Sequence, residues 1–152
     1  MAWVDTNTGI VYNGDQQHAD HIKIDNRPTI NHIFDLNSLE WVIDKDKIVQ
    51  QQLKEIKEMY AAKIDSGCIT TVQDASGSAI RVDCTERSYL LFSVGLKRAQ
   101  RNGATGIVIK DYHNNYHPVS LSNLETIITN IEDYQAECLE WKWTEENAVV
   151  GG

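Results

Sequence analysis

The longest hydrophobic pattern in the chain predicts a helix over residues 122–149. Its apolar residues recur at spacings of three and four, which places them on one stripe of a helix: Leu124, Ile127, Ile128, Ile131, Tyr134, Cys138 and Trp141. Ser122 and Glu125 have capping-box spacing, in which the serine hydroxyl accepts from an early backbone N–H and the glutamate reaches back. The other positions are mostly acidic, so another part of the protein or a partner must cover the stripe.

A second helical pattern occupies residues 45–66. Its apolar positions step by four, three, four and four: Val49, Leu53, Ile56, Tyr60 and Ile64. Gly67 is well placed as the C-terminal cap. With one apolar stripe, this helix fits a linker stalk, a coiled-coil strand or a core helix.

The first 45 residues predict two related β-hairpins, over residues 2–12 and 32–43. In each, two short β-prone runs flank a turn cluster of the form Asp-x-Asn followed by Ser or Thr. A tryptophan lies near each turn, Trp3 in the first and Trp41 in the second. The polar stretch between them, residues 13–31, reads as an irregular or extended connection that could lie along a partner.

Residues 68–121 predict the order β-β-α-β-β, and the long helix completes it. Asp83 with Glu86, or Thr85 alone, caps a helix that runs to Arg101. The apolar side of that helix is expected to be Leu90, Leu91, Val94, Leu96 and Ala99. The fold class is therefore α+β: N-terminal β-hairpins (1–45), a connecting helix (46–66) and a small antiparallel sheet packed by two helices (67–152).

The formal net charge of −8 is unevenly distributed. Residues 124–152 carry seven acidic and one basic side chain, whereas residues 46–123 carry eight acidic and ten basic ones. Nucleic acid and anionic membranes repel an acidic surface, so neither is expected as a partner. The acidic last helix is expected near the basic middle of the chain, where Arg87, Lys97, Arg98 and Arg101 cluster.

The three cysteines, Cys68, Cys84 and Cys138, include no C-x-x-C pair and imply no disulfide framework. A reducing compartment is the simpler expectation. The chain begins without a basic-plus-apolar leader pattern, and none of its apolar runs approaches membrane-spanning length. We therefore expect a soluble protein made in a cytoplasm.

Two groups of side chains have metal-ligand chemistry: Asp111, His113 and His117 near the last predicted turn, and His18, Asp20, His21 and Asp25 in the polar connection. Histidines four apart in a tight turn need not converge as they would on a helix. The second group has no cysteine to support it. We predict exposed histidines in a turn and no metal or other cofactor.

The candidate catalytic residues also lack a supporting motif. Ser88, Cys84 and Cys68 could be nucleophiles, but no G-x-S-x-G elbow frames them. Cys84 falls at the predicted start of a helix, where the helix dipole could lower a thiol pKa. Without a paired histidine motif, we predict that these cysteines are structural and that the chain has no catalytic residue.

The aromatic residues carry the strongest functional signal. Trp143 is two residues past Trp141, so the two cannot share one narrow stripe and one of them should face outward. The short N-terminal hairpins also carry aromatic residues with little core of their own. Trp and Tyr are favoured anchors in interfaces. The predicted partner-binding residues are Trp3, Tyr12, Phe34, Trp41 and Trp143.

Several short segments of residues 67–152 share a pattern of turn and apolar residues with a known family. They read Gly-Cys-Ile-Thr-Thr-Val from 67, Val-Asp-Cys-Thr-Glu-Arg-Ser from 82, Gly-Leu-Lys-Arg-Ala from 95, Ile-Val-Ile-Lys-Asp from 107, Pro-Val-Ser-Leu-Ser-Asn-Leu from 118 and Tyr-Gln-Ala-Glu-Cys from 134. The chain resembles the C-terminal domain of tail-fibre assembly or tail-accessory proteins, small proteins encoded beside tail-fibre genes in tailed bacteriophages. The region around Phe34 and Trp41 is similar to the front ends of phage fibre-associated proteins. The histidines and tyrosines of residues 112–117 depart from the family pattern, so no function is carried over to that turn.

The resemblance implies a tail-fibre assembly chaperone that acts in the host cytoplasm and covers apolar surface on the C-terminal region of the fibre until the fibre trimerises. The N-terminal hairpins would grip the partner. The alternative is a permanent structural subunit of the virion tail or fibre, made a homotrimer by residues 46–66. A third hypothesis is a metal-dependent hydrolase that uses Asp111, His113 and His117.

Overall fold

The computed structural model describes residues 2–13, 21–24 and 32–151, with the backbone alone at residues 13 and 21–24. The chain divides into two compact units, an N-terminal unit (Met1–Gln52) and a C-terminal unit (Leu53–Gly152). A helix, α1 (Lys45–Asp65), begins in the first unit and ends in the second. The sequence pattern predicted this helix at residues 45–66.

The N-terminal unit contains two antiparallel sheets. The first has the order β2-β1-β3, and the second is a separate hairpin of β4 and β5. Their bounds are β1 (Ala2–Asp5), β2 (Val11–Asn13), β3 (His21–Ile24), β4 (His32–Asp35) and β5 (Glu40–Ile43). Both predicted hairpins are confirmed. The polar connection of residues 13–31 was expected to be irregular or extended, but it contains the strand β3. The backbone of β3 pairs with the free edge of β1 at four residue pairs.

The C-terminal unit repeats one arrangement twice, a hairpin followed by a helix. Its elements are β6 (Cys68–Gln73), β7 (Ala79–Val82), α2 (Glu86–Arg101), β8 (Gly106–Lys110), β9 (Tyr116–Ser120) and α3 (Leu121–Gly151). The α+β class and the predicted order are confirmed. The four strands form two separate two-stranded ribbons, β6–β7 and β8–β9, where a single sheet was expected.

The core of the C-terminal unit lies between the ribbons and the first half of α3. Alternation along β6 buries Cys68, Thr70 and Val72 and exposes the residues between them, as one-sided ribbons do. The apolar stripe of α3 is buried as predicted: Leu124, Ile127, Ile128, Ile131 and Cys138. The hydrophobic stripe of α3 is therefore covered by its own domain.

The start of α3 differs from the predicted capping box. The helix begins at Leu121, and the Ser120 hydroxyl accepts a hydrogen bond from the backbone N–H of Asn123 at 3.1 Å. Ser120 ends β9 and so still has the extended backbone that an N-cap residue needs. Glu125 accepts instead from the Gln100 side chain of α2, at 3.2 Å.

The apolar side of α2 was predicted correctly for Leu96 and Ala99 and wrongly for Leu90, Leu91 and Val94. Four of its side chains are buried or pack on the core: Tyr89, Phe92, Leu96 and Ala99. Leu90, Leu91 and Val94, which were expected to belong to the same apolar side, are exposed. The helix carries two apolar stripes, and only one can face the core. Its N-cap is Thr85, whose hydroxyl accepts from the Ser88 N–H.

The C-terminal end of α1 is held by side chains from two other elements and two connecting segments. Backbone carbonyls at a helix end have no partner within the helix and need one elsewhere. Four consecutive carbonyls accept here: Lys63 from the Tyr134 hydroxyl, Ile64 from the Cys84 thiol, Asp65 from the Tyr112 hydroxyl and Ser66 from the Arg81 guanidinium. Gly67 follows with φ +78°, the predicted C-terminal cap.

Candidate binding surfaces

The predicted metal-ligand group around Asp111 is a hydrogen-bonded turn. One carboxylate oxygen of Asp111 accepts from the backbone N–H groups of His113 and Asn115, each at 2.8 Å. The other lies 2.7 Å from Nε2 of His117. The His113 ring packs edge-on against Tyr112 instead, with centroids 5.2 Å apart. Asp111 is thus occupied in holding the turn.

Burial raises the pKa of the Asp111 carboxyl, but hydrogen bonds from His117 and from the Asn115 and His113 N–H groups outweigh it. The net pKa lies below the ordinary value of 3.8. Across the described ranges, no group of three or more His, Cys, Asp or Glu side chains could hold a metal ion. Of the other metal-ligand group, His18, Asp20 and Asp25 lie outside the described residues, and only the backbone of His21 is described.

The nucleophile candidates have structural partners. Cys84 comes before the α2 cap, and its thiol donates to the Ile64 carbonyl at 3.1 Å. Burial, followed by the nearby cysteines and Asp83, raises the pKa of the Cys84 thiol to about 11. The thiol therefore stays protonated near neutral pH and is a poor nucleophile. The Ser88 hydroxyl lies 3.1 Å from that of Thr85 in the cap. All three cysteines are buried and free.

Four predicted partner-binding residues form two cross-strand pairs in the N-terminal unit. Trp3 lies opposite Tyr12 across β1 and β2, and Phe34 lies opposite Trp41 across β4 and β5. The Phe34 and Trp41 rings meet edge to face, with centroids 5.5 Å apart at 79°. All four side chains are half-buried. The pairs stiffen their ribbons and leave part of each ring accessible.

The N-terminal unit exposes many apolar side chains. Among its described residues, Ala2 and Val4 are the buried hydrophobic ones. Five large aliphatic side chains are exposed: Ile10, Ile33, Leu36, Leu39 and Ile43. Large exposed apolar side chains concentrated in one small unit indicate an interaction site. The predicted partner-binding residues are all aromatic and do not include these aliphatic ones, whose signal in the sequence is a hairpin with apolar residues at successive positions.

The fifth predicted residue, Trp143, lies on α3 of the C-terminal unit. Trp143 is exposed, whereas Trp141 is half-buried and lies under the ammonium group of Lys63, 4.7 Å from the ring centroid. The prediction that one of the two faces outward is confirmed. Trp143 belongs to the C-terminal unit, whereas the two aromatic pairs belong to the N-terminal unit.

A groove of about 830 Å³ lies between the second half of α1, the start of α2 and the middle of α3. Its apolar lining includes Tyr60, Ala61, Ile64, Ala136 and Leu139. The small side chains of Ala61 and Ala136 leave space between the helices. The groove was not predicted from the sequence, because the helix patterns do not show which faces oppose each other.

Most of the charged residues that line the groove are acidic. Asp65, Glu86 and Glu132 line it together with one cation, Lys57. The Tyr89 hydroxyl donates to Glu132 at 2.8 Å, which holds one of these carboxylates in place. Such a groove can accept an apolar side chain that is flanked by basic residues.

No helix in residues 2–13, 21–24 and 32–151 is long and apolar enough to cross a membrane. Comparison of the chain with protein-family models, with curated proteins and with solved structures finds no match.

Proposed function

We propose that this protein is a non-enzymatic binding module that covers apolar surface on another polypeptide. The observation that carries the proposal is the β4–β5 ribbon, which is apolar on both faces. Ile33 lies opposite Val42 on one face, and Phe34 lies opposite Trp41 on the other. The exposed fractions of Ile33 and Ile43 are 40% and 54%. A two-stranded ribbon of this kind has only marginal stability by itself. A partner would bury the apolar side chains that the ribbon exposes.

The partner we propose is the C-terminal region of a phage tail fibre, and the protein is its assembly chaperone. Support for this identity comes from the sequence pattern of residues 67–152. Support for the binding mode comes from the exposed apolar surface of the N-terminal unit. By mass action, binding an exposed apolar patch stabilises the bound state and suppresses aggregation until the fibre trimerises.

Co-expression with the neighbouring fibre chain tests the proposal. The wild-type protein should raise the yield of soluble, trimeric fibre and elute with it in size-exclusion chromatography. A variant with Ile33→Ser and Ile43→Ser should lose this effect, because it removes apolar contact from both faces of the ribbon. Ile69→Ser is the matched control, since Ile69 is the same residue type and even more exposed, at 71%, but lies on β6 of the C-terminal unit.

Fibre that folds and trimerises equally well without this chain would overturn the chaperone proposal. The alternative function, a permanent trimeric subunit, predicts the chain in purified virions and self-association through residues 46–66. Part of the apolar stripe of residues 46–66 is already packed within the chain, because Ile56 is buried and Ile64 packs on the core of the C-terminal unit. This packing favours the chaperone over a coiled-coil stalk.

A further inference from the structure

The outer face of α2 combines apolar and basic side chains on one helical stripe. We define it by seven exposed residues: Arg87, Leu90, Leu91, Val94, Lys97, Arg98 and Arg101. The exposed fractions of Leu90, Leu91 and Val94 are 55%, 63% and 62%. Three large aliphatic side chains at the centre of an exposed helix face are an apolar patch that the fold itself leaves uncovered.

No ion pair between described residues involves the cations of this face. The ion pairs within 4.0 Å in the described part of the chain include Lys54 with Glu58, His117 with Asp111 and Lys142 with Glu146. None of them involves the four basic residues of the outer face of α2. An apolar centre with free cations at both ends fits a helix that carries apolar and acidic side chains.

The far end of α3 carries the matching pattern. We define its distal face by five exposed residues at spacings of three and four: Glu137, Glu140, Trp143, Asn147 and Val150. The exposed fractions of Trp143 and Val150 are 60% and 68%. Glu137 and Glu140 form no ion pair within the described part of the chain. Two large apolar side chains thus lie beside two free carboxylates.

The two faces cannot meet within one chain. Helix α2 runs antiparallel to α3, because Tyr89 bonds to Glu132 and Gln100 bonds to Glu125. The start of α2 therefore lies beside Glu132, and α3 continues from there to Gly151 as an unbroken helix. At 1.5 Å per residue this extension is about 28 Å long. It carries the distal face past its own α2.

We propose that the outer face of α2 binds the distal face of α3 from a second copy of this chain. The exchange is reciprocal, so the contact forms twice about a two-fold axis and closes a dimer. Trp143 and Val150 of one copy cover Leu90, Leu91 and Val94 of the other. Glu137 and Glu140 pair with Lys97 and Arg98. The opposite charges fix the register, and the apolar contacts supply most of the affinity.

Charge reversal in the full-length protein tests the dimer. Sedimentation equilibrium should show a dimer for the wild type. The variants Lys97→Glu/Arg98→Glu and Glu137→Lys/Glu140→Lys should each dimerise at least about tenfold more weakly, because like charges then face each other at both contacts. Mixing the two variants should restore dimerisation, since each contact in the mixed dimer again joins opposite charges. Lys110→Glu, a charge reversal on β8, is the matched control and should leave the dimer unchanged.

Restoration on mixing also shows that both variants are folded, so a folding defect cannot imitate the result. A wild type that stays monomeric at its highest soluble concentration overturns the proposal. So does a dimer that survives both charge reversals, or an outer face of α2 that binds nucleic acid or only a different protein. No fibre is present in these experiments, so their outcome is independent of the proposed chaperone function.

Discussion

Aspartate residues begin each of the four hairpin turns in the described chain. In every case the carboxylate accepts a hydrogen bond, at 2.8 or 2.9 Å, from the backbone N–H two residues further on. The pairs are Asp5 with Asn7, Asp35 with Asn37, Asp74 with Ser76 and Asp111 with His113. This interaction closes the turn locally. Such turns are readable from the sequence, because all the participating atoms lie within a few residues.

The lowered pKa of Asp111 makes the stability of the C-terminal unit depend on pH. Its folded-state pKa lies below the ordinary value, so its hydrogen bonds stabilise the fold above about pH 4. That contribution is lost as the pH falls through the folded-state pKa. Asp111→Asn should lower the free energy of unfolding by about 1–2 kcal/mol at pH 7 and by much less at pH 2. Urea unfolding at both pH values measures the difference.

Asp83→Asn is the control for this prediction, because it neutralises an exposed carboxyl in the same unit. Asp83→Asn should change the free energy of unfolding only slightly at both pH values. An Asp111→Asn variant that is equally destabilised at pH 7 and pH 2 would contradict the role of the ionised carboxylate in holding the turn.

The two N-terminal turns are built alike but use different residues at the left-handed position. Gly9 has φ +73°, whereas Leu39 has φ +58°. A side chain with a Cβ is strained there, and glycine is not. Leu39→Gly should therefore stabilise the N-terminal unit by about 0.5–1 kcal/mol. Hydrogen exchange of the β4 and β5 amides measures the change.

Gly9→Ala should have the opposite effect at the equivalent position of the first turn. Its new Cβ would meet Leu36 Cδ1 at 3.3 Å in addition to the backbone strain. The strain argument fails if Leu39→Gly lowers the protection of β4 and β5, or if Gly9→Ala raises that of β1 and β2.

At the scale of elements, α1 joins the C-terminal unit through its last carbonyl groups as well as through its apolar stripe. The groups that bond them come from β7, α3 and the segments that precede α2 and follow β8. Each such bond gives a carbonyl at the helix end a partner outside the helix, and the Lys63 and Ile64 carbonyls accept in addition from the Ser66 hydroxyl and the Gly67 N–H. The arrangement fixes where α1 stops and how it meets the core.

Tyr134→Phe tests one of these bonds with little change in volume. It removes the hydroxyl that donates to the Lys63 carbonyl at 2.8 Å, and should lower the free energy of unfolding by about 1 kcal/mol. Chemical denaturation of the full-length protein measures it. Tyr116→Phe is the matched control, because Tyr116 is exposed and its hydroxyl has no partner among the described residues. Equal effects of the two substitutions would refute the role of the bond.

At the scale of the whole molecule, the core cluster of the C-terminal unit is drawn from residues 64–134 alone. A fragment of residues 45–152 should therefore fold independently, with a thermal midpoint within about 5 °C of the corresponding transition in the full chain. A fragment of residues 67–152 lacks α1, leaves the Tyr134 and Arg81 donors without their carbonyls, and should melt at a clearly lower temperature. Circular dichroism measures both midpoints. If the two fragments melt together, α1 is not part of this folding unit.

The sequence by itself determined the features that depend on residues close together in the chain. The periodicity of α1 and α3, the aspartate turns, the Gly67 cap and the β-β-α order all depend on residues within a few positions of one another. The outward position of Trp143 also followed from spacing, because two residues along a helix turn a side chain to another face.

Only the tertiary structure decided which of several acceptable local choices is used. Ser120 caps α3 in place of Ser122, because β9 keeps it extended up to the helix start. The Tyr89–Ala99 stripe of α2 faces the core and Leu90, Leu91 and Val94 do not, since one helix has one buried side. The pairing of β3 with β1, the two separate ribbons and the groove also depend on residues far apart in the chain. Long-range packing energy, which no short window of sequence contains, selects among them.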